Sequence, residues 1–217
     1  MKSWKRHSLY VALTRLIWGY GLLYLQLVFR GDRYLDLVAP EYAPALEWWE
    51  QVIFALPYYL GYIPIIAALP GIALCERSAK LLRPLGWTLL ALEGARWLYA
   101  LCGGSSGVWF GYVYGVLLCV LTLYFHFQLL TNLANIAGRF SRERAHNLRL
   151  VRTLNLIVIT LCSLPLPIAD LGWDPWLVTG IILIIAAFLI LTARSEILGL
   201  RREMVESICT DTEVESC

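Results

Sequence analysis

Hydrophobic positions in this chain are collected into six long runs, and polar positions are concentrated in the segments between them. Each run approaches the length of about 20 apolar residues that an α-helix needs to cross the hydrocarbon core of a bilayer. The pattern therefore predicts an all-α, polytopic integral membrane protein with six transmembrane helices. The predicted spans are residues 9–29, 52–74, 85–102, 108–134, 153–169 and 177–195.

These spans place residues 1–200 in a single transmembrane domain and leave residues 201–217 as a polar tail. The tail begins with a helical pattern and becomes acidic from Asp211 onward, so we expect it to fray. Hydrophobic residues make up 59% of the chain, and the mean hydropathy is +0.64. Because soluble domains are only about 45–50% apolar, this composition excludes a soluble globular protein.

Lysine and arginine lie almost entirely on one side of the predicted bundle. That side holds 14 of the 18 basic residues, whereas the opposite side holds only Arg30 and Arg33. Short loops rich in basic residues mark the cytoplasmic face of a membrane protein. Both termini are therefore predicted to be cytoplasmic, and the small size and uniform charge distribution favour a bacterial plasma membrane.

Four ionisable residues lie inside the predicted spans, where each costs roughly 2.5–3.5 kcal/mol to insert. They are Arg15, Glu93, Arg96 and His126. Such residues usually face the interior of a bundle and mark binding sites or proton pathways. If the four converge, the cluster suits a polar or anionic solute, with His126 or Glu93 carrying a coupled proton.

Each of these residues also has a purely structural interpretation. Glu93 and Arg96 are three residues apart on one helix face, so they can neutralise each other. The alternative is that Glu93 bridges to Arg15 or His126 and leaves Arg96 free for a ligand. Arg15 is shallow enough for its side chain to reach the cytoplasmic interface, and His126 can be a hydrogen-bonded packing residue. The sequence leaves these alternatives open.

Other polar side chains extend the candidate site. Tyr62 lies in the second span, and the fourth span carries a polar stripe formed by Gln128, Thr131, Asn132 and Asn135. We add Tyr62, Gln128 and Asn132 to the predicted substrate-binding residues. The stripe either forms hydrogen bonds between helices or lines a water-filled vestibule that opens to the cytoplasm.

Three glycines, Gly107, Gly111 and Gly115, form two successive G-x-x-x-G motifs at the start of the fourth span. Such a face lets another helix approach closely. The default interpretation is packing within the chain, and the alternative is contact with a second copy or with a partner helix.

A basic segment follows the fourth span and contains Arg139, Arg142, Arg144 and Arg149. We predict that these arginines contact anionic lipid headgroups. The positive-inside rule already accounts for such a segment, so a nucleic-acid partner is not predicted.

Prolines are concentrated in two spans, with Pro57, Pro64 and Pro70 in the second and Pro165 and Pro167 in the fifth. Each proline removes a backbone donor and kinks its helix. The two spans are the middle helices of two three-helix halves that would be inverted relative to each other. This arrangement is typical of transporters, although the two halves share no residue-level repeat. The alternative is that proline is simply common in membrane helices.

No spacing typical of a catalytic triad, a metal site, a phosphate-binding loop or a dinucleotide-binding turn occurs in the chain. We therefore predict no catalytic residue, metal or cofactor, and an enzyme is disfavoured. The leading hypothesis is a small transporter or channel-like protein that binds a polar or anionic solute and is linked to protons. The alternative is a non-transporting membrane partner, such as a sensor, an immunity protein or a subunit of a larger complex. A second alternative is an inner-leaflet lipid-modifying enzyme that holds a phosphate headgroup with His146 and nearby arginines.

Overall fold

The computed structural model describes the backbone of residues 3–29, 48–101, 108–163 and 174–215. Within these ranges the chain forms six α-helices and no strand, which confirms the all-α prediction. A short 3₁₀ helix, Arg77–Leu81, joins the second helix to the third. The helices are α1 (Ser3–Phe29), α2 (Trp48–Ala73), α3 (Leu82–Leu101), α4 (Val108–Ala137), α5 (Arg142–Ser163) and α6 (Pro175–Glu215).

Each predicted span overlaps one of these helices. Within the described ranges, three helices contain a segment long and apolar enough to cross a membrane: Trp4–Leu25 in α1, Val116–Ala137 in α4 and Gly180–Glu206 in α6. A shorter apolar segment, Leu60–Ala73, lies in α2. These segments support the prediction of an integral membrane protein.

The exposed side chains on the outer surface of α6 include large apolar ones, as is typical of a membrane-spanning helix. Ile184 is 71% exposed and Phe188 is 64% exposed, and both belong to a continuous apolar sequence. Large contiguous apolar patches are rare on soluble proteins because water penalises them. In a bilayer the same side chains contact lipid tails at no cost.

The six helices form a closed ring in which neighbours in the chain are neighbours in space. Each helix packs against the preceding and following helices, and α6 packs back against α1. Adjacent helices are antiparallel, since Gly19 of α1 lies beside Ile65 of α2 while Ala12 lies beside Gly71. One end of the ring therefore collects the start of α1, the turns at residues 74–81 and 138–141, and the end of α6. We call it the basic end, because most of the lysines and arginines lie there.

The interior of the ring is filled by one hydrophobic cluster. In α1 the buried side chains include Leu9, Leu13, Leu16, Tyr20 and Leu23, which recur every three or four residues. This spacing puts them on one face of a helix with 3.6 residues per turn. Exposed positions of α1 include the apolar side chains of Trp18 and Leu25, as expected for a helix that faces lipid.

The closest approach between helices occurs where α1 crosses α2. A Cβ atom added to Gly19 would lie 2.4 Å from Cγ1 of Ile65 and 2.9 Å from the carbonyl oxygen of Gly61. One added to Gly71 would lie 2.7 Å from both Cβ of Ala12 and the carbonyl oxygen of Ser8. Small residues therefore permit this contact, as expected for helices packed in lipid. The predicted glycine face of α4 lies outside the residues whose side chains the structure describes.

The last helix is longer than the sixth predicted span. We expected the tail to begin as a helix and to fray where it becomes acidic, from Asp211 onward, whereas α6 continues to Glu215. Ile197, Leu200 and Met204 are fully buried in the core. Their spacing of three and four residues extends the buried stripe of α6 beyond the predicted membrane boundary, which accounts for the helix as far as Met204.

An ionic cluster ties α5 to α6 at the basic end. Arg144 donates hydrogen bonds to Glu203 and, over 3.2 Å, to Glu196, which also accepts one from Asn147. Gly199 lies between the two glutamates and leaves room for the guanidinium group. Burial lowers the pKa of Arg144, but its hydrogen bonds and charge pairing with the two glutamates outweigh this effect and raise it overall. Arg144 is therefore held in a structural contact.

Candidate functional site

His126 lies at the meeting point of three helices. Its Nδ1 atom is 3.2 Å from the hydroxyl of Tyr20 on α1, and its Nε2 atom is 3.3 Å from the hydroxyl of Tyr62 on α2. Both tyrosines are buried, and His126 on α4 is half-buried. The ring of Phe125 packs edge-on against the imidazole, with ring centroids 5.4 Å apart. The structure thus brings together two of the predicted site residues, His126 and Tyr62, and adds Tyr20.

This Tyr20–His126–Tyr62 triad lies near the middle of the predicted membrane. Measured along the helices from the inner ends of their spans, Tyr20 is about 16 Å deep, Tyr62 about 18 Å and His126 about 12 Å. The hydrocarbon core is about 30 Å thick. A titratable group at this depth needs hydrogen-bond partners from the protein, and the two hydroxyls supply them.

The triad can satisfy His126 in every protonation state. A neutral imidazole has one N–H donor and one acceptor nitrogen, so one tyrosine accepts a hydrogen bond while the other donates one. Exchanging the tautomer reverses the two roles. An imidazolium donates from both nitrogens, and both hydroxyls can accept. The arrangement therefore allows a proton to enter at one ring nitrogen and leave at the other without breaking the contacts between helices.

Glu93 is the second predicted titratable residue that the structure places in the interior. It lies on α3 and is 5% exposed. The adjacent turn is anchored to α4, because the hydroxyl of Tyr114 donates a hydrogen bond to the carbonyl oxygen of Leu92. The side chain of Arg96 lies outside the described residues. The Glu93–Arg96 pair therefore remains a prediction.

Arg15 is not part of the triad. It is exposed, and its Nη1 atom donates a hydrogen bond to the carbonyl oxygen of Ala67 on α2 over 2.8 Å. Arg15 and Tyr20 are five residues apart, which rotates them about 140° from each other around α1. This geometry favours the structural interpretation of Arg15, in which the side chain braces α1 against α2 near the interface.

The polar stripe of α4 makes contacts to the protein. Asn132 is fully buried, and its Oδ1 atom accepts a hydrogen bond from Ser78 over 2.6 Å. Ser78 lies in the turn between α2 and α3, beside Glu76, and Glu76 pairs with Arg139 over 3.3 Å. These contacts hold the turn across the basic end of α4.

Thr131, the residue immediately before Asn132 in the stripe, contacts α5. Its hydroxyl donates to the carbonyl oxygen of Phe127 over 2.7 Å and accepts from Nη1 of Arg152 over 3.2 Å. The guanidinium of Arg152 lies 4.7 Å from the ring centroid of Phe127. Gln128 is half-buried and Asn135 is exposed. Two of the four stripe residues, Thr131 and Asn132, thus connect α4 to its neighbours.

Sequence reasoning missed two residues that the structure brings into this region. Tyr20 resembles the many interfacial tyrosines of membrane helices. It falls on the same helix face as Leu13 and Leu16, but apolar residues on the other faces of α1 make this signal weak. From sequence, Arg152 is one more basic residue after the fourth span. Its contact with Thr131 was not predictable, because Thr131 lies on the preceding helix.

Comparisons with known proteins identify no relative of this chain. No protein-family model matches it, no curated protein matches it, and no solved structure matches it. The geometry of the Tyr20–His126–Tyr62 triad and its surroundings is therefore the basis for proposing a function.

Proposed function

We propose that this protein is a small proton-linked transporter with six membrane spans and both termini in the cytoplasm of a bacterial cell. Its cargo is a polar or anionic solute. His126 carries the proton, and Tyr62, Glu93, Arg96, Gln128 and Asn132 are the proposed contacts of the solute. The observation that carries this proposal is the Tyr20–His126–Tyr62 triad, which holds a titratable ring in the membrane interior by both of its nitrogens.

The physical basis is that protonation of His126 changes contacts on three helices at once. Histidine is the side chain whose ordinary pKa lies closest to physiological pH. When the ring is neutral, one of the two tyrosines must donate to it, and when the ring is charged, both must accept. Protonation therefore reorients at least one hydroxyl and adds a charge between α1, α2 and α4. A solute that binds one of these states more tightly would shift the population between them.

The contacts at the basic end are those expected of a conformation in which the exit to the cytoplasm is closed. The Ser78–Asn132 hydrogen bond and the Glu76–Arg139 ion pair hold the turn between α2 and α3 over the end of α4. In the proposed cycle these contacts break when the solute leaves toward the cytoplasm. Arg139, one of the four arginines predicted to contact lipid, would then have this gating role.

A second candidate function is a non-transporting membrane subunit or sensor. The observation that favours it is the length of α6, which continues about 16 Å beyond Met204, its last described core residue, and reaches Glu215. A helical arm of this length provides a surface for a soluble partner. The flux measurement described next separates the two functions, because only a transporter moves solute and protons across a sealed membrane.

We expect purified protein in liposomes loaded with a pH-sensitive dye to show solute-dependent proton movement. A panel of carboxylates, phosphate esters and zwitterions would be added outside while the luminal pH is recorded. Wild-type vesicles should acidify faster with at least one class of solute than empty liposomes do. If no class produces proton or solute movement above that background, the transporter proposal is wrong and the subunit role is preferred.

The proposed topology predicts which cysteines react from each side of the membrane. In single-cysteine variants, Cys102 should react with an impermeant maleimide added to intact spheroplasts. Cys75, Cys209 and Cys217 should react only after permeabilisation. Labelling of Cys209 or Cys217 from outside would contradict the assignment of the C-terminus to the cytoplasm.

Cys75 should also show an unusual dependence of labelling rate on pH. It lies in the turn after α2, where burial raises the pKa of its thiol. Since the thiolate is the reactive form, a raised pKa means less thiolate at neutral pH. We expect Cys75 to react more slowly than glutathione at pH 7, and its rate to keep rising beyond the pH at which glutathione reaches its plateau. Equal pH profiles for the two thiols would contradict this.

A further inference from the structure

An open cleft lies on the outer surface of the bundle, where α2 ends and α3 begins. Its volume is about 340 Å³. One wall is the last turn of α2, with Pro70 and Leu74 exposed and Ala73 half-buried, and the buried side chain of Leu69 lies behind them. This wall belongs to the apolar segment Leu60–Ala73. The wall therefore lies at the depth where the acyl chains of the cytoplasmic leaflet begin.

The opposite rim of the cleft is cationic. Lys80 and Arg83 line it, and both are exposed. Neither of them forms an ion pair or a side-chain hydrogen bond with another described residue. A third exposed cation, Arg77, lies in the same 3₁₀ helix. The nearest acid in that turn, Glu76, is engaged by Arg139 and so does not neutralise the rim.

Other basic residues at the basic end differ from Lys80 and Arg83 in their surroundings. Arg144 is held by Glu203 and Glu196, and Arg139 is held by Glu76. Arg142 and Arg149 are exposed on α5, but they do not line this cleft. The Lys80–Arg83 rim thus combines unpaired positive charge with an apolar concave wall directly beside it.

We propose that this cleft binds one anionic phospholipid of the cytoplasmic leaflet. Its phosphate contacts Lys80 and Arg83, and an acyl chain lies against Pro70, Ala73 and Leu74. Charge complementarity selects an anionic headgroup, and the apolar wall selects a lipid over a soluble phosphate. The proposal rests on the proposed topology, in which the chain is embedded in a membrane with its basic end at the cytoplasmic face, and it does not depend on transport.

The test is native mass spectrometry of the full-length protein in a neutral detergent with equimolar phosphatidylglycerol and phosphatidylcholine of identical acyl chains. Wild-type protein should retain phosphatidylglycerol preferentially. A basic residue near an anionic headgroup contributes about fivefold in affinity, so Lys80→Gln with Arg83→Gln should lower the retained phosphatidylglycerol by about 25-fold. The control, Arg142→Gln with Arg149→Gln, removes the same charge from two arginines that lie outside the cleft. Their predicted headgroup contacts depend on the surface of a bilayer, which is absent in detergent, so this variant should change retention less than about twofold.

Two further variants test the shape of the site. Ala73→Phe fills the cleft without altering its charge and should reduce retention of the two-chain lipid, whereas Lys80→Arg with Arg83→Lys should preserve it. The proposal is overturned if the Lys80 and Arg83 variant retains phosphatidylglycerol at the wild-type level. It is equally overturned if the Arg142 and Arg149 control loses as much phosphatidylglycerol as the Lys80 and Arg83 variant does, because binding would then be spread over the whole basic end. Competition by inorganic phosphate with no effect of Ala73→Phe would assign the rim to a soluble anion.

Discussion

Replacing His126 by glutamine should reduce solute-dependent proton movement in liposomes to the level of empty vesicles while leaving the protein folded. Glutamine has one acceptor oxygen and an NH₂ donor, so it can still bond one tyrosine as donor and the other as acceptor. It cannot take up a proton. The substitution therefore removes the titration and keeps most of the contacts between α1, α2 and α4.

Conservative changes to the two tyrosines provide the matched series. Tyr20→Phe and Tyr62→Phe each remove one hydroxyl and keep the ring that packs in the core. Each lost hydrogen bond should cost about 0.5–1.5 kcal/mol of stability, and each variant should slow proton movement, because the ring then lacks a partner at one nitrogen. Wild-type flux in His126→Gln, with its stability also unchanged, would show that the triad only packs helices.

Replacing Gly19 by leucine should have the largest effect on stability. The new Cβ would lie within 3 Å of the buried Ile65 side chain and of the carbonyl oxygen of Gly61. The carbonyl belongs to a helix backbone and cannot move without separating α1 from α2. Overpacking of this kind costs about 1–3 kcal/mol or more, and we expect loss of monodisperse protein in detergent or a clearly lowered melting temperature.

The chain provides its own controls for this substitution. Gly180 on α6 and Gly94 on α3 have no atom within 4 Å of an added Cβ, apart from their immediate surroundings along the helix. Gly180→Leu should therefore be neutral or slightly stabilising, since leucine is a better helix former than glycine by up to about 1 kcal/mol. Melting temperatures from fluorescence-detected size-exclusion chromatography would compare the variants. Equal tolerance at positions 19 and 180 would contradict the close α1–α2 contact.

The helices were predictable from sequence because lipid imposes a simple rule on the chain. Every backbone donor and acceptor in a bilayer must be satisfied within the protein, so a long apolar run has to become a helix. The six predicted spans accordingly overlap the six described helices. The end of α6 was less predictable. Beyond residue 195 its buried positions, such as Leu200 and Met204, pack against protein and not against lipid, and hydropathy does not report protein packing.

The candidate site was predictable only in part. His126 stood out because an ionisable residue inside a span is costly, and Tyr62 was included for its place in the second span. The bridging role of Tyr20 depends on how α1 is rotated about its axis, and an all-round apolar helix carries little periodic signal for that rotation. The same limit applies to Arg15, which was grouped with His126 by depth. It lies on another face of α1 and donates a hydrogen bond to Ala67 of α2.

The amino-acid sequence by itself determined the helical class, the positions of the six apolar segments and the one-sided distribution of basic residues, because each of these depends on local composition and on the solvent around the chain. Only the tertiary structure decided which residues meet. The order of the ring, the Gly19–Gly61 crossing, the pairing of Arg144 with α6 and the placement of His126 between two tyrosines depend on helix rotation and on contacts between residues far apart in sequence. Hydropathy reports neither helix rotation nor long-range contacts, because lipid and the protein interior are equally apolar surroundings for a membrane helix.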